Sequence, residues 1–150
     1  DGENLILKNY FNIGVAIDTP DGLVVPSIKE VDKKSIFNLS KELTDISDRA
    51  RNKKLIPNEL SGGTFTISSL GGIGGTYFSP IVNPPEVAIL GISKSEWGQV
   101  YDSSKQEFSP RFMLPVSLSY DHRVIDGAAG ARFVERLGKV LNNIKNFKDQ

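Results

Sequence analysis

Among the 150 residues there is no cysteine. Disulfides, thiolate metal sites and a cysteine nucleophile are thereby excluded. There is one histidine, so a zinc site built from several histidines is excluded as well. Neither sign of charge is in excess: 18 Lys and Arg against 18 Asp and Glu give a formal net charge of zero. That balance supplies no pull toward nucleic acid or an acidic membrane surface, and it does little to oppose self-association. No run approaches the ~20 apolar residues of a membrane span. The opening DGENLILKNYF has no signal-peptide layout. Together these features predict a cytoplasmic protein with no metal, no nucleic acid and no membrane among its partners.

What is present suits a real core, since 39% of the residues are hydrophobic, and residues 1–150 suit a single domain. YFNIGVAID, residues 10–18, predicts a strand. TPDG then places Pro20 and Gly22 for a tight turn, and LVVPSI returns to make a hairpin. Pro26 marks the returning strand as an edge or as interrupted. Over residues 35–53, Ile36, Leu39, Leu43, Ile46 and Ala50 recur at helical steps behind an N-cap at Ser35. The opposite face, with Lys41, Glu42, Asp45 and Arg49, is expected in solvent. TFTISSL predicts a strand that ends in GGIGG, and EVAILGIS a strand buried on both faces. WGQVYDSSKQEFSPRF predicts a hairpin and FMLPVSLSY a strand. A last helix is expected from about Ala128 to Phe147, with Phe133, Val134, Leu137, Val140, Leu141 and Ile144 on its apolar side. Hairpins and strands mixed with two separated helices predict an α/β layer with a mixed sheet.

The chemistry is concentrated in SYDHRVIDGAAGARF, residues 119–133. It holds the one histidine, His122, at an expected strand-to-helix junction between Asp121 and Asp126. A neutral imidazole with a pKa of about 6.5 takes a proton near neutrality. A thiol of pKa ~8.5 titrates about two units higher, and general-base catalysis closes that gap in the transition state, typically for a factor of ~10² to 10⁴. From the residues alone, the alternative that His122 caps a turn or fills space stays open. Asp126 stands where an N-cap belongs, directly before Gly127. Arg123 suits an ion pair, and Asp121 suits turn amides. The run SSLGGIGG is no phosphate loop, because no Gly-Lys-Ser/Thr follows it. Ser68 or Ser69 is able to donate to a developing oxyanion.

DHRVIDG resembles the His-x-x-x-Asp-Gly motif of the dihydrolipoamide acyltransferases, the E2 components of 2-oxo acid dehydrogenase complexes. Chloramphenicol acetyltransferase shares its His-x-x-x-Asp core. FTISSLGGIGG, NIGVAIDTPDGLVVP, IVNPPEVAILGISK and RFMLPVSLSYDHRVIDGA are similar to family segments in the same order. The similarity runs from about Leu5 onward and is greatest to the bacterial pyruvate dehydrogenase members.

The resemblance implies a chloramphenicol-acetyltransferase-like two-layer α/β sandwich with a mixed sheet. It implies acetyl transfer between dihydrolipoamide and coenzyme A, with coenzyme A as substrate and the lipoyl group on a domain absent from this chain. His122 is then the general base, Ser68 the oxyanion donor with Ser69 ranked second, and Asp126 the residue that braces the site. The chain corresponds to the C-terminal portion of the family's catalytic domain, without the arginine that pairs with the Asp126 counterpart. As partners the resemblance implies a homotrimer within a larger core, with sites between subunits, and E1 and E3 components held through absent domains. Transfer of succinyl or branched acyl groups, and a non-catalytic scaffold, are the alternatives.

Overall fold

The structure is a computed structural model that describes residues 4–143. The first predicted strand serves two sheets. β1 (Ile13–Val15) joins the main sheet, and β2 (Ile17–Thr19) pairs with β3 (Gly22–Val24) in a two-stranded ribbon. The division falls at Ala16, whose amide donates to the Ile67 carbonyl at 2.9 Å. Gly22 closes the ribbon at φ 116°, where a side chain is rarely tolerated. Pro26 interrupts the return, which resumes as β4 (Ser27–Ile28) at the edge of the main sheet.

α1 (Ile36–Arg51) starts where Ser35 Oγ accepts a hydrogen bond from the Asn38 amide at 3.2 Å. Its C-terminal half is anchored by Ile46 and Ala50, which pack with Ile17 and are backed by Val15, Val24 and Leu55. Ile36 and Leu43 lie on the same sequence stripe but remain 43% and 38% exposed. The helical period therefore foretold the face but overstated how much of it the described residues bury. Arg49 is not simply solvated. Its guanidinium donates to both carboxylate oxygens of Glu59, at 2.7 and 2.6 Å, and to Asp45 at 2.7 Å.

The main sheet continues with β5 (Phe65–Ser69), β6 (Ala88–Ile92) and β9 (Val116–Tyr120). Its order is β4-β1-β5-β6-β9. β1, β5 and β6 run parallel, and β4 and β9 flank them antiparallel. β7 (Glu96–Asp102) and β8 (Glu107–Met113) form the expected separate ribbon, with Trp97 beside Phe112 and Tyr101 beside Phe108. FMLPVSLSY is two strands and not the single one expected. Pro115 has no amide hydrogen to pair and separates β8 from β9.

Side chains alternate across this sheet. One face presents Val15, Ile67, Leu90, Leu118 and Tyr120 toward the helices. Here α2 (Gly127–Leu141) crosses β9 with Gly130 against the Tyr120 ring, and Phe133 lies 5.8 Å from the Phe65 ring. α2 closes at Asn142; Ile144 and Phe147, assigned to it from sequence, lie outside the described residues. The other face carries Gly14, Thr66, Ser68, Ile89, Gly91, Ser117 and Ser119 by register. The loop after the glycine run crosses it, with Phe78 and Pro80 over Gly91. The result is a two-layer α/β arrangement on a mixed sheet. Among the described residues no helix is long and apolar enough to cross a membrane.

Candidate active site

His122 sits in the turn that links β9 to α2. The turn is held by its neighbours. The Asp121 amide donates to the Val87 carbonyl at 2.8 Å, which ties the end of β9 to the start of β6. The Asp121 carbonyl accepts from the amides of Val124 and Ile125, both at 3.0 Å. Its carboxylate accepts from the Arg123 amide at 3.0 Å and from the Arg123 guanidinium at 2.6 and 2.9 Å. Those bonds, the guanidinium first, hold the Asp121 carboxyl down to about 2. Asp121 and Arg123 thus lock the turn and leave His122 exposed between them. The imidazole leans on Tyr120, ring centroids 5.9 Å apart at 38°. Among the described residues it makes no hydrogen bond.

Asp126 is the N-cap of α2, with extended backbone and its carboxylate accepting from the Ala129 amide at 2.7 Å. It lies within the same turn as His122 but does not bond the ring. Its carboxylate is engaged with the helix terminus, so it sets where α2 begins and how the turn leaves the sheet.

Ser68 and Ser69 are adjacent in β5 and therefore project to opposite faces. Ser68 is half-buried, in register with Gly91 on the face away from the helices. Ser69 is exposed and accepts from the Gly71 amide at 3.4 Å. The glycine run that follows is a tight turn. The Ile73 and Gly74 amides both donate to the Leu70 carbonyl, and Gly74 and Gly75 take φ 144° and 87°.

The structure does not bring Ser68 and His122 together within one chain. Ser68 pairs with Gly91, which pairs with Ser117. From Ser117 the chain runs five residues to His122, away from the glycine turn. Five steps of ~3.3 Å and two inter-strand spacings of ~4.8 Å separate the two residues by about 19 Å.

Three contributors escaped sequence reasoning. Tyr120 supports the imidazole; its signal was only that it faces the same way as an apolar strand residue. Glu86 accepts from Thr66 Oγ1 at 2.6 Å, and burial pushes its carboxyl above the usual range against that hydrogen bond. It lines a cleft of about 970 Å³ that also reaches Lys8, Asp121, Arg123 and Val124. A smaller cavity of about 260 Å³ lies on the other side of Glu86, away from the His turn. Ser93, directly after β6, buries a hydroxyl with no partner. Nothing in PEVAILGISK sets that serine apart. Among the described residues no group of three His, Cys, Asp or Glu is placed to hold a metal.

The profile of the 2-oxoacid dehydrogenases acyltransferase (catalytic domain) family matches residues 1–148. Over 147 residues, 98% of the chain, the sequence is 60% identical to a dihydrolipoyllysine-residue acetyltransferase component of pyruvate dehydrogenase complex from Haemophilus influenzae. The chain spans 26% of that relative's length. Its structure is similar, at TM-score 0.93 and 57% identity, to a dihydrolipoamide acetyltransferase of Azotobacter vinelandii studied for the role of a serine, a histidine and an asparagine in its catalytic mechanism. That match covers 97% of this chain and 59% of the other. It is also similar, at TM-score 0.93 and 56% identity, to the cubic core of the pyruvate dehydrogenase multienzyme complex, over 97% of this chain and 59% of that one.

Proposed function

This chain belongs to the 2-oxoacid dehydrogenases acyltransferase (catalytic domain) family, and from that premise we propose that it transfers an acetyl group between dihydrolipoamide and coenzyme A. The observation that carries the proposal is the His122 turn. One exposed imidazole is held at a strand-to-helix junction by the Asp121–Arg123 lock on one side and the Asp126 cap on the other. A base with its ring displayed and its backbone fixed is what proton removal from a substrate thiol requires.

In the proposed reaction the imidazole of His122 removes the thiol proton of coenzyme A. The thiolate attacks the carbonyl carbon of acetyl-dihydrolipoamide, and the carbonyl oxygen becomes an oxyanion. The Ser68 hydroxyl donates a hydrogen bond to that oxygen. The intermediate collapses with cleavage of the original thioester bond. The departing dihydrolipoamide sulfur takes the proton back from the imidazolium. Coenzyme A and the dihydrolipoyl group are substrates here, and no step uses a metal.

Asp126 braces the site in this reading and does not relay protons. The histidine and asparagine studied in the Azotobacter enzyme stand four positions apart, as His122 and Asp126 do. An asparagine amide is unable to carry a negative charge or accept a relayed proton, yet it caps a helix as well as aspartate does. That is the role the Asp126 carboxylate plays here.

The separation of Ser68 from His122 bears on assembly. A thioester held at the imidazole is out of reach of Ser68 in the same chain, so we assign the Ser68 of a second copy to each His122. A homotrimer, each site lying between two subunits, fits that requirement, and the cubic core to which the chain is similar supports an assembled state. The E1 and E3 components as partners of the whole protein belong to the same proposal.

The test is His122→Ala in the assembled core. Acetyl transfer from acetyl-coenzyme A to dihydrolipoamide should fall by a factor of about 10² to 10⁴ while sedimentation is unchanged. Turnover near that of the parent would overturn the assignment of the base.

A further inference from the structure

The His122 turn hangs on a carbonyl that lies outside the sheet proper. β6 starts at Ala88, and it is the Val87 carbonyl, one residue earlier, that accepts from the Asp121 amide at 2.8 Å. The residues leading to Val87 supply no ladder of their own. Pro84 and Pro85 have no amide hydrogen to give, and the Glu86 amide is spent on the Asn83 carbonyl at 3.0 Å. What ties this approach to the sheet is a side chain. The Glu86 carboxylate accepts from Thr66 Oγ1 at 2.6 Å, and Thr66, in β5, is fully buried.

The surroundings are shaped to that carboxylate. The parallel register Thr66↔Ile89, carried back three residues, sets Glu86 beside Gly63. A Cβ on Gly63 would collide with Glu86 Oε1, so the missing side chain leaves the carboxylate its place. Lys8 donates to the Gly63 carbonyl at 3.3 Å. Burial pushes the Glu86 carboxyl above its usual range, against the Thr66 bond and the Lys8 charge. A neutral acceptor therefore suits the position. Glu86 and the turn residues Asp121, Arg123 and Val124 line one cleft of about 970 Å³.

We propose that Glu86 is a positioning residue for His122: its bond to Thr66 clasps the starts of β5 and β6 and so fixes the Val87 carbonyl on which the His122 turn hangs. The inference rests on the reading of His122 as the base. Without the clasp the buried Thr66 hydroxyl loses its acceptor, which is costly, and the 86–87 approach is released at its one side-chain tie to β5. The slack passes through a single hydrogen bond to Asp121, the residue before the imidazole.

The test uses the assembled core with acetyl-coenzyme A and dihydrolipoamide. Glu86→Ala should lower kcat about tenfold, less than the ~10²-fold that a misplacement of about 1 Å costs, with thiol KM little altered. Glu86→Gln, which keeps an acceptor for Thr66, should recover most of the loss. Gly63→Ala, whose methyl group displaces the carboxylate, should act in the same direction in the parent and cost nothing further in the Glu86→Ala background. Hydrogen exchange read by mass spectrometry reports the turn directly: the amides of Asp121, Val124 and Ile125 should exchange faster in Glu86→Ala, while those of α1 keep the parental rate. A Glu86→Ala enzyme within about twofold of the parental kcat overturns the proposal. So does a fall in kcat with exchange at the turn unaltered, and so do losses that add in the double variant. If His122→Ala keeps its turnover, the reading of the base fails instead, and the exchange at Asp121 still reads the clasp by itself.

Discussion

The two glycines Gly130 and Gly138 of α2 undergo the same chemical change to alanine with opposite expected outcomes. At Gly130 a Cβ would sit 2.8 Å from Tyr120 Cε1 and 3.2 Å from Cζ. Carbon atoms rest at ~3.5 Å or more, so the ring must retreat by about 0.7 Å. It has little room to do so. The Tyr120 backbone is fixed by pairing with Ala88, and the His122 ring lies 5.9 Å from the Tyr120 ring, centroid to centroid. Replacing a helical glycine by alanine gains about 1 kcal/mol, and overpacking a tight contact costs about 1–3 kcal/mol. Gly130→Ala should therefore be neutral or up to about 2 kcal/mol less stable. At Gly138 nothing lies within 4 Å of the built Cβ. Gly138→Ala should keep the full gain of about 1 kcal/mol. Denaturant midpoints at unchanged slope measure both. Turnover gives a second readout. A displacement of about 1 Å in a catalytic constellation costs around 10²-fold, so a shift of about 0.7 Å passed to the imidazole should cost roughly tenfold. Gly138→Ala should keep the parental rate. Equal stabilisation of both variants, or full activity in Gly130→Ala, would show that Tyr120 does not support the His turn.

Asp126→Asn should keep nearly all stability and most activity, whereas Asp126→Ala should lose about 1 kcal/mol with the cap; a large activity loss in the asparagine variant alone would point to a proton relay. Asp121 has a folded carboxyl at about 2 against an ordinary 3.8, so its stabilising effect is complete above pH ~4 and fades as pH falls toward 2. Carboxyl NMR should show that low titration, and Arg123→Ala should return it close to the ordinary value; no change in the variant would mean that the guanidinium is not the cause. Ser68→Ala should cost about 10² to 10³ in kcat with thiol KM little altered, and Ser69→Ala should cost little, because Ser69 faces the other side of the sheet. The reverse order would exchange the two assignments.

Much of the fold was legible because local signals and tertiary structure agree. The Ser35 cap, the TPDG turn, the interruption at Pro26, the apolar β6 strand and the Asp126 cap each follow from one residue's geometry or from a short period. The misses share a cause. Ala16 divides one apparent strand between two sheets, and Pro115 divides another, because neighbouring strands decide where pairing begins. Ile36 and Leu43 lie on a helical stripe that the described residues cover only in part. Arg49 found Glu59 ten residues on, outside the reach of the i,i+4 rule. In the site, His122 and Asp126 stood out because they are few and oddly placed. Ser93 did not, since burial without a partner is a property of packing alone.

The direction of β9 is the fact that sequence was least able to supply and on which the site depends most. β5 and β6 run parallel and β9 returns against them. Their C-terminal ends therefore lie at opposite edges of one sheet. Ser68 stands near the end of β5, and His122 follows the end of β9. Had β9 run parallel to β6, the two residues would share one edge and a single chain would hold a complete site. The antiparallel step forbids that. The same step frees each residue for its own demand. His122 is held on an exposed turn where a thiol can reach it. Ser68 lies half-buried on a polar face, where a hydrogen bond to an oxyanion is worth more than it is in water. On the proposed reading, a subunit boundary that joins the two ends would bring an exposed base to a sheltered donor and would exclude water from the thioester only when the copies are assembled.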